Sequence, residues 1–471
     1  MSHRFNCLFI GGRWVSPHTD KTIALENPAT REVFAHVPEG TVEDAVDAIT
    51  AASKAKKAWA AVPLTERVEL MCKTLAIFKQ SRDEIIRFEA LELGSPVSYA
   101  ASAHCDYQFT RIESYIKEAQ KVALEEQFAQ STVLREPVGV VACITPWNYP
   151  LGQVVQKIIP ALLMGNTVVL KPSQHTPLTS YILVEALEKA GFPAGTVNLV
   201  VGRGAALGDT LAEHPLVDMI SFTGSTRVGI ELSRKALLGM KRISLELGGK
   251  SPFIWLESED YAPAVNQLFS SVFLNSGQTC TALSRLLVPA KDEERVKALL
   301  LRRLPELTVG DPLDPAVRIG PLASRAQYDK VLSYLELGQS EGAELLCGGA
   351  DPSIGPGYYV RPAIFAGVSN NMRIAREEIF GPVLCLLTYE TVDEAIAIAN
   401  DTPYRLNAAV YGPREQALRV AHQLECGNVY VNGGPRDVTA PFGGYKGSGL
   451  GREGGRYGLM EFTQLKAIFD R

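Results

Sequence analysis

The sequence predicts an α/β protein built on parallel sheets, and three observations predict it. Between residues 137 and 247, five short runs rich in Val, Ile and Leu alternate with longer helical patterns. A second alternation of the same kind fills residues 284–434. The chain is 471 residues long, 46% hydrophobic and 21% charged, which is enough apolar material for two or three packed domains.

The elements follow in order. The opening stretch "MSHRFNCLFIGGRWVSP" has one short apolar patch and lacks the long apolar core of a signal peptide. From about residue 40 to 130 the texture is helical. "TVEDAVDAITAASKAKKAW" starts on a Thr and acid cap, Thr41 to Asp44 or Glu43, and spaces its apolar residues by three and four. "ERVELMCKTLAIFKQSRDEIIRFEALELG" continues in that style and ends at Gly94. The strand candidates are "VGVVACI" (138–144), "TVVLKP" (167–172), "VNLVVG" (197–202), "DMISFTG" (218–224) and "RISLEL" (242–247). Strands separated by helices such as "PLTSYILVEALEKAG" (177–191) imply crossover units and a doubly wound sheet. The second alternation implies a second α/β domain.

Composition excludes several function classes. A net charge of −5 with no basic cluster gives no reason to expect a nucleic-acid or anionic-membrane partner. No apolar run approaches the roughly 20 residues that span a bilayer. The eight cysteines are scattered without a CxxC pair, which points to free thiols and a cytoplasmic location. The seven histidines show no ligand spacing, so no metal site is expected.

In open parallel sheets, ligands bind beyond the carboxyl ends of the strands, and there the sequence is unusual. "ITPWNYP" holds Asn148 between two prolines, as a rigid amide or as a turn Asn bonded to its own backbone. "LKPSQHTP" puts Lys171 at a strand end, beside Ser173 and Gln174, where an ammonium can meet a hydroxyl or phosphate, or simply water. "FTGSTRVG" opens a helix at Ser225, which suits a pyrophosphate or an ordinary cap. "LELGGKSP" carries Glu246 in an apolar run, either as an ion-pair partner or as a base with a raised pKa. "LNSGQTCTALSR" carries Cys280, a buried small residue or a nucleophile.

Taken together with "EEIFGPVL" (377–384) and the Gly-rich "PFGGYKGSGLGREGG" (441–455), these stretches resemble the NAD(P)-dependent aldehyde dehydrogenase superfamily, from "NPAT" (27–30) to "PFGGYKGSG". The resemblance implies a Rossmann-like parallel-sheet cofactor domain (1–120 and 140–246), an α/β catalytic domain (247–448), and a small β bridging element (121–139 and 459–471) that joins subunits into a homodimer or homotetramer. It implies NAD or NADP as cofactor and an aldehyde as substrate. It assigns Cys280 as nucleophile, Glu246 as general base and Asn148 as oxyanion donor. It places Lys171, Ser173, Gln174, Ser225, Glu378, Phe380, Trp147 and Gly204 around the cofactor. A thiol suits the chemistry: it attacks the carbonyl, and it can leave again when water hydrolyses the thioester.

The chain departs from the family pattern at Gln174, where most NAD-preferring members have Glu. The amide keeps an acceptor but loses the charge that repels a 2′-phosphate, so use of NADP as well as NAD is expected. The expected tunnel lining is polar: Tyr149, Gln153 and Gln156, then Thr279 and Thr281, then Arg436 with Asp437 and Val438. Gln153 and Gln156 share a helix face. Arg436 either binds a substrate carboxylate, which means a semialdehyde, or stays solvated at the mouth. Two other readings stand: a CoA-acylating relative, against which Glu246 argues, and a non-catalytic relative, against which the four residues Cys280, Glu246, Asn148 and Lys171 argue.

Overall fold

The computed structural model describes residues 3–470. Met1, Ser2 and Arg471, which fall within the expected spans, lie outside the described residues.

Five parallel strands form the centre of the first sheet, in the order Val197–Leu199, Thr167–Lys171, Val140–Ile144, Met219–Thr223, Arg242–Glu246. The four strands from Val140 to Thr223 are buried throughout, which is why they read as unbroken apolar runs. The winding reverses where Val140–Ile144 sits between Thr167–Lys171 and Met219–Thr223, and that reversal opens a crevice at the carboxyl ends. Leu8–Ile10 and Arg13–Val15 extend one edge antiparallel, and Gly449–Leu450 closes the other. Three- and two-residue strands are too short to show a periodic pattern, so the sequence reading passed over them.

The first long helix, Val42–Ala60, starts as expected: Asp44 N donates to Thr41 Oγ1 (3.3 Å) and Thr41 N donates back to Asp44 Oδ2 (2.7 Å). The single helix expected up to Gly94 is broken. Leu64–Lys79 and Arg82–Phe88 are separated by a turn, and a wider π-helical turn, Glu89–Leu93, closes on Gly94 at φ 78°. That turn carries Glu89 inward to within 3.2 Å of the buried His104 ring. Helix ends at Ala119 rather than near 130, because the chain turns into a hairpin, Glu125–Phe128 and Ser131–Pro137.

The second sheet has seven strands, in the order Glu344–Ala350, Val360–Ala366, Val383–Tyr389, Arg285–Pro289, Pro252–Trp255, Asn407–Tyr411, Asn428–Val431. All but the first run parallel. Separate apolar clusters pack its two faces, one around Phe253 and Leu286, the other around Phe365 and Val383. A third sheet pairs Thr463–Phe469 with Ser131–Pro137 over seven residue pairs, with Glu125–Phe128 on its far edge. The architecture is of the α/β class read from the sequence.

Candidate active site

The segment leading to Cys280 is held in an unusual backbone conformation. Asn275, Ser276 and Gly277 all lie in the left-handed region, at φ 55°, 54° and 72°. Each non-glycine residue there costs on the order of 1–2 kcal/mol, so the surroundings must enforce it. They do so with buried hydrogen bonds. Asn275 Nδ2 donates to the Asn148 carbonyl (2.9 Å), and Asn148 Nδ2 donates to the Gln278 carbonyl (2.9 Å). Gln278 Nε2 donates to the Asn275 carbonyl (3.1 Å), and Ala323 N donates to Gln278 Oε1 (2.9 Å). Ser276 Oγ donates to the Gly320 carbonyl (2.8 Å). The loop after Val140–Ile144 is thereby tied to the cysteine loop, and Asn148 keeps one amide hydrogen for another acceptor. Gly249 completes the fit: a Cβ there would lie 2.2 Å from the Cys280 carbonyl oxygen.

Cys280 is half-buried and lines two cavities at once. One, of about 340 Å³, lies over the crevice of the first sheet. Trp147 and Asn148 line it, as do Ser225, Glu378 and Phe380. Trp147 and Phe380 meet edge to face, 5.5 Å apart. Phe380 sits at φ 62°, held by Gln327, whose Nε2 donates to its carbonyl (2.6 Å). Ser225 caps the helix Thr226–Leu238 by accepting from Val228 N (3.4 Å), and the other first-turn N–H groups have no intrahelical partner. Glu378 accepts from Gly249 N through Oε1 (2.9 Å), leaving Oε2 for another donor.

The remaining expected cofactor residues stand beside this cavity, not in its wall. Lys171, Ser173 and Gln174 occupy the next strand-end loop, joined to the Trp147 loop by Thr145 N donating to the Lys171 carbonyl (3.1 Å) and Thr176 Oγ1 donating to the Trp147 carbonyl (3.2 Å). Burial lowers the Lys171 ammonium to about 8. Gly204 begins the helix Gly204–Glu213, with no atom within 4 Å of where its Cβ would be.

The second cavity, of about 360 Å³, lies on the other side of the sulfur. Tyr149, Gln153, Gln156, Thr279, Thr281 and Arg436 all line it, whereas Asp437 and Val438 do not. Gln153 and Gln156 do share a face, 3.5 Å apart across Nε2 and Oε1. A hydroxyl chain runs from Tyr99 through Tyr149 (2.9 Å) to Thr279 Oγ1 (3.0 Å), next to the cysteine.

Glu246 ends its strand buried, with neither carboxylate oxygen hydrogen-bonded. It lies against Gly443 of the "PFGG" stretch, where a Cβ would come within 2.5 Å of Oε1. Burial, and next the nearby Glu453 carboxylate, hold its carboxyl well above the ordinary value; Lys157, Arg452 and Arg436 oppose this. Lys157 and Glu453 form a buried ion pair at 2.7 Å.

A thiol shared by a crevice at a winding reversal and a second polar cavity calls for comparison with known proteins. The profile of the aldehyde dehydrogenase family matches residues 14–468. The chain belongs to the aldehyde dehydrogenase family. A 3-succinoylsemialdehyde-pyridine dehydrogenase from a Pseudomonas species is 42% identical over 464 residues, 98% of this chain and 97% of the relative. The crystal structure of an aldehyde dehydrogenase C variant from Pseudomonas syringae, in complex with NAD+ and octanal, matches with TM-score 0.98 and 39% identity over 100% of this chain and 97% of that one. The Mycobacterium tuberculosis aldehyde dehydrogenase in complex with NAD+ matches with TM-score 0.97 and 39% identity, over 99% and 98%.

The dehydrogenase's own residues fit a dinucleotide. Glu378 keeps one carboxylate oxygen able to accept from a hydroxyl, the helix start at Ser225 suits a pyrophosphate, and the Trp147 and Phe380 rings offer flat apolar walls. Sequence reasoning missed Gln327 and Lys330, which reach the same cavity from the helix Arg325–Ser340; their three-residue spacing was the available signal. It also missed Lys157, whose place in the apolar run "VVQKIIP" demands a partner.

In this site burial, with the Glu378 and Glu246 carboxylates, pushes Cys280 up to about 12, against Arg436. That shift favours the thiol form of the sulfur.

Proposed function

We propose that the enzyme oxidises an aldehyde to its acid through a covalent adduct on Cys280, which water then releases. Cys280 Sγ attacks the carbonyl carbon, giving up its proton to a base in the site. The oxygen that becomes negative is met by the free Asn148 amide hydrogen and the Cys280 backbone N–H. NAD, when bound, supplies the hydride acceptor that turns the tetrahedral adduct into a thioester. Glu246, whose proton affinity burial raises well above the ordinary carboxylate value, takes a proton from the water that attacks the thioester. Lys171 and Glu378 hold the two riboses and Ser225 the pyrophosphate, with Ser173, Gln174 and Gly204 at the cofactor's outer end. Gln174 in place of a carboxylate admits NADP as well.

The observation that carries this reading is the place of Cys280, between two cavities and hydrogen-bonded through its loop to Asn148. The test is absorbance of reduced nicotinamide with a panel of aldehydes, crossed with NAD and NADP, in wild type and Cys280→Ala. Turnover abolished by the substitution and unaffected by CoA supports the reading. Turnover that persists in Cys280→Ala removes it, and NAD preferred a thousandfold removes dual cofactor use.

We also read the hairpin 121–139 and the tail 459–471 as an association element between copies. Phe469, 80% exposed, and Leu465 and Phe128 beside it are apolar groups that water disfavours. Among the described residues no helix is long and apolar enough to cross a membrane. Scattered cysteines without a paired motif suit a reducing compartment, and we read the enzyme as cytoplasmic on that ground.

A further inference from the structure

A buried arginine in a folded protein ordinarily spends its donors on the protein. Arg285 does so: it is fully buried and donates to the carbonyls of Lys250 (3.1 Å), Ile398 (3.0 Å) and Ala399 (2.9 Å), and to Asn370 Oδ1 (3.2 Å). Arg111 does not. It is 6% exposed and rises from the helix Tyr107–Ala119 into the wall of the cavity on the substrate side of Cys280. Its Nη1 donates to Gln108 Oε1 (2.7 Å) and the Gly152 carbonyl (3.3 Å), and its guanidinium stacks on Tyr107 at 4.9 Å. Gln108 is itself oriented, donating from Nε2 to the Ala103 carbonyl (2.7 Å).

The other edge of that guanidinium, Nε and Nη2, has no acceptor among the described residues, and packing does not seal it. No carboxylate lies within ion-pair distance among the described residues. Glu453, the carboxylate whose charge reaches the guanidinium, is already paired with Lys157. A second cation, Arg436, faces the same cavity from its exposed rim, over the Phe442 ring at 4.2 Å, and the two guanidiniums repel each other. Two cations converging on one cavity without a protein anion are stabilised when a ligand brings the charge. The Nε/Nη2 edge is the planar pair of donors that matches a carboxylate in a two-point contact.

We infer that the aldehyde this enzyme takes carries a carboxylate at its far end, and that Arg111, fixed by Gln108 and Gly152, is the residue that selects it, with Arg436 guiding it at the mouth. The inference rests on the dehydrogenase reading above and names the substrate class that the reading leaves open.

The test compares two aldehydes of equal length, one ending in a carboxylate and the other in a carboxamide, by steady-state kinetics on the full-length enzyme. The wild type is expected to prefer the acid by about 10- to 100-fold in kcat/KM, the range of a hydrogen bond to a charged group. Arg111→Met brings that ratio close to one, Arg111→Lys restores part of it, and Arg436→Gln lowers it by less than about fivefold because its group is solvated. Equal use of the pair by wild type, a ratio unmoved by Arg111→Met, or preference for a phosphate-ended analogue overturns the inference. A readout free of chemistry separates this from failure of the dehydrogenase reading: calorimetric binding of the dicarboxylate product to Cys280→Ala, expected to weaken at least tenfold when Arg111→Met is added. Unchanged binding overturns the inference even if turnover is normal.

Discussion

Glu246 joins stability to chemistry. Its carboxyl is buried without a hydrogen bond, so its proton affinity is raised in the folded chain above the ordinary 4.5. The unfolded chain therefore ionises first, and the wild type loses stability as pH rises from about 4.5 through the folded value. Glutamine does not titrate. Glu246→Gln is expected to melt close to wild type at pH 4.5 and above it at pH 8, as differential scanning calorimetry can measure. A wild type that is the more stable at pH 8 would mean that the carboxylate has a partner. The same variant is expected to give a burst of reduced cofactor followed by turnover slowed about 10²–10⁴-fold, since the role proposed for Glu246 is in release of the thioester.

The cysteine loop depends on a glycine that a methyl group would dislodge. Gly277 sits at φ 72°, and a Cβ there would stand 2.1 Å from the Gly381 carbonyl oxygen. Gly277→Ala is expected to lower stability by about 2 kcal/mol or more and to reduce kcat more than it weakens cofactor binding, because the displaced segment carries Cys280 and not the ribose contacts. Urea unfolding and a cofactor titration check the two parts. The sequence made this loop legible, along with the other strand-end stretches, through the family resemblance that the whole set carries; taken singly, Asn148 also fitted a turn, Glu246 an ion pair and Cys280 a buried small residue. Gln327, Lys330 and Arg111 were not legible one by one. Each belongs to a helix whose charged and apolar residues alternate as on any amphipathic surface, and only tertiary packing decides that its side chain meets a cavity. The break at Gln80–Ser81 was hidden for a similar reason, since the residues on both sides favour helix and the π-helical turn is set by the burial of Glu89 against His104.

At the scale of the whole molecule, the two sheets lie either side of Cys280 and leave exposed apolar groups elsewhere. Besides the small third sheet, the end of the helix Thr226–Leu238 presents Leu238 and the following Met240, each 89% exposed. Both patches fit subunit contacts. The wild type is expected to be oligomeric at micromolar concentration, and the pair Leu465→Asp with Phe469→Asp to shift it to a smaller species, as sedimentation velocity reads. A wild-type monomer would remove the association reading. The alternation of strands and helices was visible in the sequence, because periodicity survives without contacts; the hairpin came only through the family resemblance, its residues having read as helix, and the antiparallel edge strands were too short to carry a pattern. The shared position of the sulfur has a last consequence. Its two cavities reach the surface at different rims, Ser225 on one side and Ser102 with Arg436 on the other. An acid product and a dinucleotide, bound as proposed above, would each have an opening to solvent of its own.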